Sequence, residues 1–294
     1  MYKKADFPKN FNEFIGNNNT KQVLITLKNN WQSCYRLIPH LILYGQPGLG
    51  KTTLSRILAS EAKTNLHEFI GSQFNIANLN ILLNDMKKGD FVFIDEIHDL
   101  AGKVVEIMYP IMTDFKFNKK IYSECYVQQD TEPFTLIGAT TNLGKLPKPF
   151  RDRFRYSLNL EDYTDQEIND IILLYCNEIK KKEGLIIKQE VINALVLISQ
   201  NVPRLTKNYL YACVDSAINE KVAEINLELF NHVLLLLGVN KYGLNKTQMQ
   251  ILNVLSKSGK PTGVSSISSS SGVPNKDIES NEQFLLKKTK RLEN

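Results

Sequence analysis

Residues Gly45–Thr52 read Gly-Gln-Pro-Gly-Leu-Gly-Lys-Thr, a Gly-x-x-x-x-Gly-Lys-Thr spacing. Glycines so spaced let backbone N–H groups turn inward onto phosphate oxygens. The apolar run Leu41–Tyr44 leads into the loop and a helical pattern leads out. The N-terminus of that helix adds a partial positive charge where Gly48 and Gly50 bring the chain close to the phosphates. Lys51 would reach the β- and γ-phosphates of a nucleoside triphosphate, and the Thr52 hydroxyl would ligand Mg²⁺.

A second constellation is Phe91–Glu96, FVFIDE. Asp95 at the strand end is placed to hold Mg²⁺ through water, and Glu96 to polarise an attacking water. His98 follows in DEIHDL and reads as a hydrogen-bonded structural histidine. Thr141 ends FTLIGATT, where a hydroxyl either senses the γ-phosphate or caps its strand. Arg151–Phe154 is RDRF. An arginine there either forms a surface ion pair or reaches a neighbouring subunit's nucleotide, where it can be worth about 10³–10⁵ in rate.

These groups need a sheet to present them. HLILYG, GDFVFID and FTLIGATT are glycine-bounded apolar runs typical of buried parallel strands. Between them, Thr53–Lys63 places Leu54, Ile57, Leu58 and Ala62 on one helical face, and Val104–Met112 does so with Val105, Met108 and Met112. Strands alternating with helices imply an α/β fold with a parallel sheet. After about Leu160 the strands stop. Helices are expected from Asp165 to Gly184 and near 188–199, 204–217 and 227–237, a small all-helical domain. GVNKYG (238–243) reads as a linker. A last domain starts with a helix bearing Met249, Leu252 and Leu255 on one side. Its serine-rich SSISSSSG (265–272) is either a weak helix or a flexible stretch.

The 294 residues suffice for two or three modest domains. No apolar run approaches the roughly 20 residues that span a bilayer. The basic N-terminus lacks an apolar stretch behind it, so no secretory signal is expected. Cys34, Cys125, Cys176 and Cys213 show no Cys-x-x-Cys pair, which argues against zinc or a disulfide scaffold and fits a reducing cytoplasm. Residues 241–294 carry nine Lys/Arg against four Asp/Glu, so the whole net charge of +5 sits there on a neutral body. That placement fits a polyanion partner or a solvated lysine-rich surface.

GQPGLGKTT, FIDEIHDL, MYPIMTDF, PFTLIGATTN and RDRF, in this order and spacing, resemble the RuvB family, hexameric AAA+ motors of bacterial Holliday-junction branch migration. FPKNFNEFIGN, YTDQEI, VPRLTKNYL and LELFNHVLLLLGVNKYGLN extend the resemblance, which fades after about Ser256. It implies an AAA+ P-loop core over 1–158, a helical lid over 159–238, and a shortened winged-helix-like head over 241–294. Gly48, Gly50, Lys51, Thr52 and Thr53 would hold ATP and Mg²⁺, with Asp95 sharing the metal and Glu96 beside it. Thr141 would be the first sensor, Arg153 the finger inserted into the next protomer, and Arg204 the second sensor. Ile15 and Tyr163 would lie near the adenine, and Asp114 and Phe115 close to the nucleotide. The implied activity is that of an ATPase and DNA helicase acting in recombination and repair. Its implied partners are double-stranded DNA at a Holliday junction, five further copies in a hexamer and a RuvA-like junction-binding protein.

The chain departs from the family pattern at several places. Phe7, not Arg, precedes Pro8; Thr113 replaces a glutamate; Asp99 replaces a basic residue. The Phe115–Phe134 stretch, which in the family carries a hairpin that docks RuvA, is shorter than usual and lacks the glycine-rich turn. In place of an arginine-rich wing, Lys287, Lys288, Lys290 and Arg291 are the expected DNA contacts. The alternative is a non-motor AAA+ scaffold or clamp-loader-like ATPase. Clamp loaders commonly carry Ser-Arg-Cys at the finger, which PFRDRF is not.

Overall fold

The computed structural model describes residues 8–122 and 125–292. They divide into two compact units, Met1–Asp162 and Tyr163–Asn294. The first unit runs α1 (Asn18–Cys34), β1 (Leu41–Tyr44), α2 (Lys51–Ala62), β2 (Leu66–Ile70), α3 (Ile76–Asp85), β3 (Phe91–Asp95), α4 (Gly102–Asp114), β4 (Lys116–Tyr122), β5 (Cys125–Asp130), β6 (Thr135–Thr140), α5 (Lys148–Arg151) and β7 (Tyr156–Asn159). Five strands form one parallel sheet in the order β2-β3-β6-β1-β7. Strands β1, β3 and β6 are buried almost throughout, which is why their sequences are continuous apolar runs.

Register gives the sheet two distinct edges. Leu41 pairs with Ile137 and Tyr156, and Phe91 with Thr135, so the strand starts lie together. Tyr44, Asp95 and Thr140 end their strands at the opposite edge. Helix α4 follows β3 and buries Val104, Val105, Met108, Ile111 and Met112. It begins at the edge where the strands end. By Met112 it has returned to the edge where they start, because the Met112 carbonyl lies 3.0 Å from the His40 ring just before β1. The shortened stretch after Phe115 still forms a hairpin, with Lys116 opposite Asp130 and Phe117 opposite Gln129.

The second unit runs α6 (Asp165–Glu183), β8 (Ile186–Ile187), α7 (Gln189–Ile198), α8 (Pro203–Asn219), β9 (Glu224–Ile225), α9 (Leu227–Leu236), α10 (Lys246–Ser258), α11 (Val264–Ser271) and α12 (Asn275–Leu292). Helix α6 opens on a capping box: Thr164 Oγ1 accepts from Glu167 N, and Thr164 N donates to Glu167 Oε2. It stops at Gly184, whose φ is 69°. The expectation of an all-helical lid needs correction. Ile186 and Ile187 pair in parallel with Glu224 and Ile225. These β-branched residues suit an extended pairing, and the fully buried Ile225 anchors it.

In α10 two of the three residues expected on one side, Leu252 and Leu255, pack against the small core. Met249 is exposed, whereas Gln248 and Ile251 are buried. Gln248 closes a capping box with Asn245, and its Nε2 donates to Asn281 Oδ1 at 3.0 Å, so a polar residue takes the inner position. The serine-rich stretch is helical as α11, with Ile267 as its buried residue. Ser269 and Ser271 fold their hydroxyls back onto the carbonyls of Ser265 and Ile267. Ile267 joins Leu244, Ile251, Val273, Ile278 and Leu285 in a small separate core.

The start edge of the sheet is held by His40. Its Nδ1 accepts from Leu136 N at 2.8 Å, so its proton sits on Nε2 and is donated to Met112 O. The rings of Phe115, Phe134 and Phe154 surround it at 6.3, 5.5 and 6.4 Å. Burial lowers its pKa from 6.5 to about 4, against a smaller opposing pull from the Met112 carbonyl. The unfolded chain therefore binds a proton first as pH falls. Stability contributed by neutral His40 is complete above about pH 6.5 and is lost towards pH 4, by about 3 kcal/mol at most. Urea denaturation between pH 4.5 and 8 should show this slope, and His40→Asn should lack that part of it.

Candidate nucleotide site

The site is built where the strands end. Strand β1 feeds a loop in which Gly45, Gly48 and Gly50 have φ of 143°, 84° and 103°. Side chains with a Cβ rarely adopt such angles, so the glycines allow the loop to curl with its amides inward. Lys51 opens α2 and is 7% exposed. Its Nζ donates to Gly45 O at 2.8 Å and Gln46 O at 2.9 Å. The ammonium is thus held over the mouth of the loop, where a phosphate would be a stronger acceptor than either carbonyl.

Thr52 and Asp95 line one cavity of about 430 Å³ together with Arg56, Glu68, Gln73 and Asn78. Arg56 and Glu68 are joined by a two-bond ion pair at 2.8 and 2.7 Å. Among the described residues no group of three His, Cys, Asp or Glu could hold a metal unaided. One hydroxyl and one carboxylate fit Mg²⁺, which keeps several waters and takes its other oxygens from phosphates.

Glu96 adopts φ 47°, an uncommon angle for a residue with a side chain. Its Oε2 accepts from both the backbone N and the hydroxyl of Thr141, each at 3.2 Å. The same oxygen lies 3.2 Å from His98 Nδ1. Thr140 Oγ1 is 2.8 Å from that nitrogen and also accepts from Asn142 N. The other ring nitrogen, Nε2, lies 3.5 Å from Asp99 Oδ1, so a carboxylate faces each side of the His98 ring. His98 and Thr140 thus belong to the set around Glu96, which sequence reasoning missed. The available signal was the placement of His98 two residues after the acid.

Gly71 closes this arrangement from outside. A Cβ on it would lie 2.3 Å from the Glu96 carbonyl oxygen. The turn after β2 therefore packs directly on the strained Glu96 backbone.

Lys51, Thr52 and Thr53 are brought together on α2, and Asp95, Glu96 and Thr141 converge at the neighbouring strand ends. Ile15 precedes a turn fastened beside the loop: Asn17 Oδ1 accepts from Glu161 N at 2.7 Å, and Leu160 N donates to Tyr44 O. Asp114, Phe115 and Arg153 lie at the opposite edge. Phe115 packs against His40, and Arg153 follows α5 just ahead of β7. Tyr163 and Arg204 belong to the second unit, where Tyr163 is buried and Arg204 is exposed in the first turn of α8. Lys287, Lys288, Lys290 and Arg291 fall in the last turns of α12, and their side chains lie outside the described residues.

Residues 7–160 match the family model for the Holliday junction DNA helicase RuvB P-loop domain, and residues 241–290 match the RuvB C-terminal winged helix domain. The chain belongs to the RuvB family. It is 37% identical over 293 residues to the Holliday junction branch migration complex subunit RuvB of Mycoplasma genitalium, covering 95% of this chain and 90% of that protein. It is 33% identical over 288 residues to the subunit of the same name from Staphylococcus aureus strain Newman, covering 96% and 85%. The solved structure titled Thermotoga maritima RuvB Holliday junction branch migration motor superposes with a TM-score of 0.81 at 30% identity, covering 97% of this chain and 91% of that one. This RuvB-family chain is therefore a P-loop ATPase.

Gly71→Ala should push on the Glu96 backbone without touching the phosphate loop. We expect a loss of about 1–3 kcal/mol in stability and slower ATP turnover, with ATP affinity changed less than about threefold. Thermal melts, fluorescent-nucleotide titration and steady-state ATPase rates measure the three quantities.

Proposed function

We propose that the chain is an ATP-driven motor that moves the branch point of four-way DNA junctions, working as a ring of identical copies with each nucleotide shared by two neighbours. The observation that carries this reading is the polarity of the sheet. Lys51, Asp95, Glu96 and Thr141 stand at the strand ends, whereas Asp114, Phe115 and Arg153 stand at the strand starts. A four-residue strand is about 13 Å long, and the 13-residue α4 is about 20 Å long. Arg153 therefore serves a nucleotide on another copy, not the one held by its own Lys51.

Within that site each side chain has a separate task. Lys51 spreads positive charge over the β- and γ-phosphates, and the loop amides fix their orientation. Thr52 and Asp95 would hold Mg²⁺, which supplies charge to the phosphates when bound. Glu96 accepts a hydrogen bond from the attacking water, and Thr141 and His98 set the direction of its carboxylate. The partner copy's arginine stabilises charge that develops as the terminal phosphate leaves. Arg204, on the second unit, would report the presence of the γ-phosphate to the lid.

The rest of the chain supplies contacts with DNA and protein. The region matching the winged-helix model also carries the whole net positive charge, which suits duplex DNA. The β4–β5 hairpin, with Val127 46% exposed, is the surface offered to a RuvA-like partner. Among the described residues no helix is long and apolar enough to cross a membrane. The proposed motor is a cytoplasmic ring of six. The scaffold alternative is not favoured: the relatives reported above are named for branch migration, and the acid needed for turnover is in place.

Purified protein with a RuvA-like subunit should move a synthetic four-way junction in the presence of ATP and Mg²⁺. Lys51→Ala and Arg153→Ala should each lower ATP turnover by at least about 10²-fold. Mixing the two variants should recover a measurable part of the rate, because one copy keeps the loop and the other the arginine. Full activity of Arg153→Ala, or turnover without any junction movement, would refute the proposal.

A further inference from the structure

The Arg153 guanidinium carbon lies 4.3 Å from the centre of the Tyr109 ring. Nη1 donates to Pro149 O at 2.6 Å, and Nε to Tyr109 O at 3.4 Å. Nη2 makes no hydrogen bond to any described residue. Tyr109 is backed by the fully buried Phe150, with ring centres 6.0 Å apart. Phe150 in turn meets Phe154 edge-on at 5.3 Å. The platform under the guanidinium is thus anchored both in α4 and in the aromatic core.

Every group that holds Arg153 is neutral. Two are carbonyls and one is a ring face. A carboxylate partner would cancel the charge that an arginine must bring to a phosphate, but a π face attracts the cation without discharging it. Stacking also occupies the flat face of the guanidinium and leaves its N–H edge, where phosphate binds. A free arginine carries about 2 kcal/mol of rotamer entropy that each insertion would otherwise have to overcome. Stacking on a fixed ring removes much of that cost in advance.

We propose that Tyr109 is the positioning residue for Arg153: its ring face holds the guanidinium charged, flat and with Nη2 outward, ready for the neighbouring copy's nucleotide. The proposal rests on the shared-site reading above. Tyr109 contacts neither its own copy's phosphate loop nor the reacting atoms, and it acts only through Arg153.

The test uses mixed assemblies of full-length chains. Lys51→Ala copies donate an arginine, and Arg153→Ala copies supply a working loop. Y109L placed in the donor should lower the recovered ATP turnover about tenfold, mainly in kcat with little change in KM for ATP. Y109F in the donor should keep the rate within about twofold, because the ring face remains. Y109L placed in the Arg153→Ala copy should leave the recovered rate within about twofold, since that copy offers no arginine. If Y109L lowers the melting midpoint, Y109M is read in the same way. Wild-type recovery with Y109L in the donor, equal losses from Y109L in either copy, or a Y109F donor as impaired as Y109L would overturn the proposal. If the parent pair forms rings by light scattering but recovers no turnover, the shared-site reading fails and the proposal fails with it.

Discussion

The five strands of the sheet all run one way, and that single polarity organises the chemistry. A parallel strand can present a loop at its end but must return its chain across the sheet to begin the next. Lys51, Asp95, Glu96 and Thr141 accordingly gather at one edge, and the chain's returns gather at the other. RDRF falls among the returns because it precedes β7. No side-chain rotation carries Arg153 across the length of the strands. Under the proposed function, the fold separates a site into two halves that one copy would not close by itself, and oligomerisation would be part of the catalytic apparatus.

Strain and neutral hydrogen bonding tune the half-site at the strand ends. Glu96 sits at a positive φ with its carboxylate tied to Thr141 and facing His98. Gly71 approaches its carbonyl so closely that any side chain there would collide with it. Such strain persists only where the surroundings determine the conformation. At the other edge His40 is kept neutral by burial and serves as a two-way hydrogen bond between α4 and β6. Helix α4 spans the distance between the two edges.

The phosphate loop, the acid pair and the threonine were legible in the sequence because their chemistry is local. Each lies within a few residues of an apolar run whose type is plain from composition. The helix faces of α2 and α4 were legible for the same reason. The contacts made across the fold were not. Nothing near Tyr109 in the sequence announces Arg153, forty-four positions away, and His40 meets Leu136 from nearly a hundred. The two-residue β8–β9 pair is too short to leave a periodic signal. In α10 Leu252 and Leu255 pack against the small core as their shared side suggested, whereas Met249 is exposed and the capping-box residue Gln248 is buried.

Helix α11 shows what a poor helix former can do when one residue is well placed. Eight residues, six of them serine, are held to the small core through the buried Ile267. The hydroxyls of Ser269 and Ser271 donate to carbonyls of the same helix, and Ser271 Oγ also accepts from Val273 N just beyond it. So few anchoring atoms leave this segment at the low end of the protein's local stability, and its amides should exchange with deuterium well before those of β1 or β6. The head can then reshape its middle helix at small cost while the ATPase sheet stays intact, giving the chain a compliant end joined to a rigid one.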